Sequence, residues 1–445
     1  METKKYHAYT LFNYKDMPQY TRLSAADRAT IEIVGRVLPF KTNNYVTDEL
    51  INWDNLSDDP IFTLNFPRRG MLLPDHYEEV RKLVETKADT ATTNEHVQHI
   101  RMQLNPNPSG QEHNVPIFKG VRLNGVQHKY RETVLLFPRQ GQTCHAYCTF
   151  CFRWPQFSGT TAQKFILKKD QNTYLNYLKN NPLVTDILFT GGDPMTMSTT
   201  FLKQHLNPFI LDGVEQIQTI RIGTKALAYW PYRFLSDSDS DELIRFFEKI
   251  VKQGKNLVLM GHFNHPVELS TPAVQQAISR IRSTGAQIRT QSPLLNHINN
   301  QPDLWAQMWR KQVNLGCIPY YMFIARDTGA KHYFELPLEE CWRIFRESYQ
   351  QVSGVCRTVR GPSMSANPGK IQILGVSEVR NEKLFVLRFI QGRNPDWVAR
   401  PFFAKYDPKA TWFDDLQPAF GEKSFFFESE MKTRYQESSL DYNSE

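Results

Sequence analysis

Between residues 129 and 350, short apolar runs alternate with amphipathic ones, strand then helix, and this rhythm constrains the fold more tightly than any other feature. Six runs read as strands: "TVLLFP" (133–138), "TDILFTGG" (185–192), "TIRIGT" (219–224), "NLVLMGHF" (256–263), "AQIRTQSPLL" (286–295) and "CIPYYMFIA" (317–325). Between them, "DELIRFFEKIVKQG" (241–254), "TPAVQQAISRIRSTG" (271–285) and "PDLWAQMWRKQVNLG" (302–316) read as helices, each closing on a glycine where helices commonly stop. Repeated strand–helix units demand parallel strands joined by right-handed crossovers. The fold class expected is α/β, a partial (β/α)6 barrel.

Residues 1–128, with "HYEEVRKLVETKA" (76–88) and the loop-like "NPNPSGQEHN" (105–114), read as a helical N-terminal flank. Residues 129–350 form the barrel. Residues 351–445 read as an irregular, aromatic segment ("RPFFAKYDPKATWFDDL", 400–416) that binds or covers a cofactor and ends in a polar tail expected to be disordered. Asp193, Lys225, His262, Asn264, His265, Arg326 and Asp327 all fall just after strands. In parallel barrels that is where active sites form, so one shared mouth is expected there.

The chain has 445 residues, enough for one large core or two to three smaller ones. No apolar run approaches the roughly 20 residues a membrane helix needs. The net charge of +7 is spread along the sequence rather than gathered among aromatics, which argues against a nucleic-acid partner and leaves anionic small molecules. "METKKYHAYTLFNYKD" lacks the apolar core and cleavage site of a secretory signal, so the expected location is the cytoplasm. Six thiols there stay reduced, and Cys317, Cys341 and Cys356, far apart, read as buried thiols.

The other three, Cys144, Cys148 and Cys151, stand as C-x3-C-x2-C in "TCHAYCTFCFRW" (143–154), the loop after the first strand. A zinc ion would want a fourth ligand, and His145 lies inside the first interval, where its geometry is poor. An iron–sulfur cube is usually held by four cysteines, so three leave one iron open. "TGGDP" (190–194) follows the second strand. Its glycines allow close backbone approach to a ligand, and its carboxylate can take an ammonium group.

The cysteine spacing, with Phe150 before the last thiol, resembles that of the radical S-adenosylmethionine enzymes. "CTFCFRWPQF", "ILFTGGDPMTM", "IRIGTKALAYWPYRF", "GHFNHPVELS", "RTQSPLLNHINNQPDLW" and "IPYYMFIARDTGAKHYFELPL" look, in order and spacing, like the lysine 2,3-aminomutase family over residues 60 to 380. The resemblance implies an isomerase that moves an amino group from the α- to the β-carbon of an amino acid. Its implied cofactors are a [4Fe-4S] cluster on the three cysteines, S-adenosylmethionine at Gly191, Gly192 and Asp193, and pyridoxal phosphate. Reducing electrons would come from a donor such as flavodoxin or ferredoxin, and a homo-oligomer is compatible with the family.

Residue by residue, the resemblance makes Lys370, in "SANPGK", the lysine that holds the pyridoxal aldehyde, although the family's glycine-rich run is reduced here to Asn367-Pro368-Gly369. Arg153 matches the arginine that clamps the substrate carboxylate, a task suited to its planar fork. Gln291 matches a polar residue of the cofactor pocket, and Lys129 replaces an arginine before a tyrosine, here Tyr130, that lies by the cofactor phosphate. Lysine-specific members use two aspartates for the far ammonium. Their counterparts are Arg326, or Asp327 after a one-residue shift, and Ser363. Losing those carboxylates argues against lysine and admits an acidic amino acid, because a buried ammonium without charge partners is costly. Two other readings stay open: a radical enzyme without functional pyridoxal phosphate that acts on a peptide, protein or natural-product intermediate, and a non-catalytic iron–sulfur or zinc protein.

Overall fold

The computed structural model describes residues 4–158, 164–167, 171–211 and 213–433. Its centre is one eleven-stranded sheet whose strands lie side by side in chain order: β1 (Val126–Tyr130), β2 (Thr133–Leu136), β3 (Asp186–Phe189), β4 (Thr219–Thr224), β5 (Asn256–His262), β6 (Gln287–Leu294), β7 (Ile318–Ile324), β8 (Arg360–Ser365), β9 (Gly369–Val379), β10 (Glu382–Gly392) and β11 (Pro401–Lys405). Strands β2 to β8 pair parallel. A helix lies between each pair of them: Gln171–Lys179, Thr199–Ile210, Ser240–Lys252, Pro272–Arg282, Pro302–Asn314 and Leu338–Gln350. The six strand–helix units are therefore present, and the two ends of the sheet do not meet, which gives a partial barrel.

The strands fall within the sequence intervals because their alternation is real. In β4, Ile220, Ile222 and Thr224 are buried, while Thr219, Arg221 and Gly223 on the other face are only partly covered. A period of two must put one set against the helices and the other on the opposite face. The glycines after three helices, Gly254, Gly285 and Gly316, have φ of 80°, 87° and 78°, the left-handed conformation in which a side chain would be strained.

The N-terminal flank carries helices at Ala25–Val37, Pro60–Asn65, Pro74–Glu85 and Thr90–Gln103. Ser24 starts the first of these with a capping box, its hydroxyl accepting from the Asp27 amide while the Asp27 carboxylate accepts from the Ser24 amide. The C-terminal segment holds more regular structure than its composition suggests. β8 extends the parallel sheet, and β9, β10 and β11 continue it antiparallel. The β9–β10 hairpin turns on Arg380 and Asn381, both with positive φ, the two-residue turn that suits strand twist. The aromatic block packs on this antiparallel part: Phe389, Phe402, Phe413, Phe425 and Phe427 form one cluster of ring contacts. Residues 434–445 of the polar tail lie outside the described residues. Among the described residues no helix is long and apolar enough to cross a membrane.

Candidate active site

The cysteine loop leaves β2 and is clamped from two sides. From the flank, the Lys41 ammonium donates to the Cys144 carbonyl at 2.7 Å, and the Tyr6 hydroxyl donates to the His145 carbonyl at 2.7 Å. The Tyr147 amide donates to the Lys41 carbonyl, and the Thr149 hydroxyl to the Thr63 carbonyl at 2.7 Å. From the barrel, the Gly192 and Asp193 amides donate to the Gly141 carbonyl, and the Asp193 amide also to that of Thr143 at 2.7 Å. A Cβ on Gly192 would stand 2.3 Å from the Thr143 carbonyl oxygen, and Gly191 has φ of 145°. The double glycine is thus required by the cysteine loop itself.

The Asp193 side chain is 2% exposed. It accepts from the Thr224 hydroxyl (2.7 Å), the Met195 amide (2.9 Å) and the Lys225 amide (2.8 Å). These donors fasten the end of β3 to the end of β4. Burial pushes this carboxyl up, against the pull of those hydrogen bonds. Its oxygens serve the chain, so what this turn offers a ligand is backbone.

Burial also raises all three thiols, Cys148 to about 11 and Cys151 to about 12, and the mutual repulsion of Cys144, Cys148 and Cys151 adds to it at Cys144. Three thiolates here call for a cationic body to bind them. Among the described residues no three His, Cys, Asp or Glu side chains gather on a single ion. The His145 ring packs edge-on to Tyr6, centroids 5.7 Å apart, rather than completing a zinc shell. Three thiolates without a fourth protein ligand fit an iron–sulfur cube with one open iron. The Tyr229 hydroxyl is 3.5 Å from the Cys148 sulfur, and its ring centroid is 4.4 Å from the amine of Lys225, which pairs with the buried Glu268 at 2.6 Å. His265 caps a short helix through its ring and His262 stacks on Phe150, so neither is set out as a metal ligand.

Across the mouth the chemistry changes sign. Phe152, next to Cys151, lies under two guanidiniums, Arg153 at 4.9 Å and Arg326 at 4.6 Å. Nη1 of Arg153 and Nε of Arg326 are buried without a hydrogen-bond partner. Burial and the repulsion of Arg326 push Arg153 down. A second group adjoins them. Lys129 on β1 donates to the Ala366 carbonyl in the "SANPGK" loop, and Arg393 holds that loop through the Asn367 carbonyl at 2.9 Å. Burial pushes the Lys129 amine far down, helped by Arg393, Arg326 and Lys370. Burial pushes the Tyr130 hydroxyl up while Arg393 and Arg326 pull it down.

Lys370 is the second residue of β9, its amine 4.0 Å from the Tyr321 ring centroid and 5.4 Å from that of Phe323. Burial, then Arg221, Arg360 and Arg326, push it well below the ordinary lysine value. Gln291, on β6 opposite Tyr321, makes no side-chain hydrogen bond among the described residues. The structure thus brings Lys129, Tyr130, Arg153, Arg326 and Lys370 into one basic group. Asp327 turns elsewhere, its carboxylate accepting from Asn105 at 3.2 Å and Ser109 at 3.3 Å. Ser363 is buried within the sheet against the Met322 carbonyl. Sequence reasoning missed Phe152, Arg360 and Arg393, and the only signal for Arg393 was its place in the glycine-containing "QGRNP". A cavity of about 450 Å³ lies between the Leu338–Gln350 helix and β9, lined by Trp342, Phe345, Tyr349 and Gln372 among others.

No family model matches the chain. A "Putative L-lysine 2,3-aminomutase" of Aquifex aeolicus (strain VF5) is 30% identical over 400 residues, which cover 90% of this chain and 93% of the relative. The chain belongs to the lysine 2,3-aminomutase family. Within that family, the L-lysine 2,3-aminomutase of Escherichia coli (strain K12) is 26% identical over 55% of this chain and 67% of its own length. The glutamate 2,3-aminomutase of Clostridioides difficile (strain 630) is 25% identical over 54% of this chain and 51% of its own. A solved radical SAM methyltransferase from Sphaerobacter thermophilus aligns at 11% identity with a TM-score of 0.31, over 53% of this chain and 68% of that one. The relatives are named as lysine and glutamate 2,3-aminomutases, and the chain is an enzyme of that family.

Proposed function

We propose that this enzyme is an amino-acid 2,3-aminomutase with both an iron–sulfur and a pyridoxal phosphate site, and that its substrate is an acidic amino acid. The observation that carries the reading is Phe152. Its ring adjoins Cys151 in sequence and lies under Arg153 and Arg326, and Arg326 also acts on the Lys370 and Lys129 amines. The cysteine loop and the basic group therefore meet at one ring.

Cys144, Cys148 and Cys151 would hold the cluster, and the backbone of Gly191, Gly192 and Asp193 would receive S-adenosylmethionine. When bound, these groups supply a hydrogen-abstracting radical, and pyridoxal phosphate supplies an aldehyde and a π-system for the migrating nitrogen. Lys370, whose charged form is opposed by burial and neighbouring cations, is the amine that takes the aldehyde. Lys129, Arg393 and Tyr130 form the phosphate end, and Gln291 offers the cofactor a free amide. Arg153 clamps the α-carboxylate through its unpartnered Nη1. Arg326 stands where lysine-specific members have a carboxylate, and its free Nε suits a second carboxylate rather than an ammonium.

Anaerobic reconstitution with iron, sulfide and pyridoxal phosphate, followed by borohydride reduction and peptide mass spectrometry, tests this. A stoichiometric pyridoxyl adduct on Lys370 is expected. No adduct, on protein that still cleaves S-adenosylmethionine, would overturn the pyridoxal assignment.

A further inference from the structure

Lys370 shares an aromatic ring with an arginine. Its amine lies 4.0 Å from the Tyr321 centroid, and the Arg360 guanidinium lies 4.5 Å from the same centroid and 4.2 Å from that of Tyr320. The sheet delivers both. β8 sets Arg360 beside Tyr321 in the parallel register, and β9, antiparallel to β8, sets Lys370 beside Ser365 at its other end.

Other charges face this amine, and each has its own partner. Arg221 from β4 is ion-paired to Asp186 of β3 at 2.7 Å. Arg326, beyond β7, donates to the Pro108 carbonyl at 3.2 Å and has Asp327 as its neighbour. Lys129 from β1 is bonded to the Ala366 carbonyl. Arg289 from β6, 5.2 Å from the Tyr320 ring, donates to the Gln287 amide oxygen at 3.3 Å. Arg360 differs from all of them. Among the described residues it has neither a carboxylate nor a carbonyl partner and is held by two ring faces. Such a contact anchors a cation without bringing a negative charge to cancel its field.

We infer that Arg360 is a positioning residue: it keeps the Lys370 amine unprotonated, and so nucleophilic, by setting an uncompensated guanidinium against the ring on which that amine rests. What the free amine is used for rests on the aminomutase reading above, but the arrangement of the two cations does not. The charged form of Lys370 is opposed first by burial, then by Arg221, Arg360 and Arg326. Removing a cation must therefore return the amine towards its ordinary range, so that less of it is neutral at a given pH.

The test is competitive labelling of the full-length protein, without added cofactor, by trace acetic anhydride from mildly acidic to alkaline pH. Mass spectrometry reads acetylation of Lys370 relative to the exposed Lys405. In Arg360→Gln, the midpoint of Lys370 labelling is expected to rise by about one pH unit, which lowers labelling about tenfold at pH values below the midpoint. Arg360→Lys, which keeps the charge, is expected to stay within about twofold of the parent. An unchanged profile in Arg360→Gln overturns the inference, and so does an equal fall in Arg360→Lys, which would make the role one of packing. Because no pyridoxal phosphate is present, a missing pyridoxyl adduct on a protein that shows the Arg360 effect would sink the cofactor reading and leave this one standing.

Discussion

The two walls of the mouth satisfy their polar groups in opposite ways. On the cysteine side the charged side chains are partnered by the chain itself: Asp193 is filled by Thr224, Met195 and Lys225, Lys225 is paired with Glu268, and Lys41 is bonded to the loop backbone. On the Lys370 side, cations face one another with few acids among them, and guanidinium nitrogens of Arg153 and Arg326 have no partner. Buried donors are costly to leave unpaired. A wall that keeps them so is arranged for anions that arrive from outside, whereas the opposite wall is arranged to hold a loop still.

The sharpest way to break this comparison is to damage one wall and assay the other. In Cys148→Ala, iron uptake on reconstitution and cleavage of S-adenosylmethionine should both be lost, while borohydride trapping of pyridoxal phosphate at Lys370 stays as in the parent. Loss of trapping as well would show that the walls do not fold independently. An intermediate effect is expected at the basic wall. Arg326→Gln removes a charged hydrogen-bond donor worth about 1.5–3 kcal/mol, so KM for an acidic amino acid should rise roughly 10- to 150-fold with iron content unchanged. Arg326→Asp should shift preference towards lysine, and selectivity left as in the parent would remove the case for a second carboxylate. The smallest effect belongs to the cysteine-side wall. Asp193→Asn keeps the shape of a buried acceptor but mismatches one of its donors, which should lower stability by about 1–3 kcal/mol in thermal unfolding of the cofactor-free protein. A shift confined to the cofactor-loaded protein would mean that the carboxylate serves a ligand instead.

Much of one wall was legible in the sequence because its parts are local. Cys144, Cys148 and Cys151 span eight positions of one loop, and the double glycine stands at the end of the next strand, so spacing alone located both. The role of Asp193 was not visible, since its donors Thr224 and Lys225 come from another strand. The other wall gathers Lys129, Arg153, Arg326, Arg360, Lys370 and Arg393 from positions scattered over the chain. Only the register of β7, β8 and β9 puts Tyr321, Arg360 and Lys370 together. Sequence alone also left Arg326 and Asp327 open as alternatives. The Asn105 and Ser109 side chains draw Asp327 towards the flank and leave Arg326 at the mouth.

By itself the sequence determined the strand–helix alternation, its count of six and the helix ends at Gly254, Gly285 and Gly316, because these depend on periodicity and on local backbone freedom. It did not determine that the C-terminal segment extends the sheet. β11 is short and begins at a proline, so it reads as a loop until β10 gives it a partner. The tertiary structure alone decided which cations are cancelled and which are not. Charge compensation depends on distances across strands, and no spacing along one chain records them.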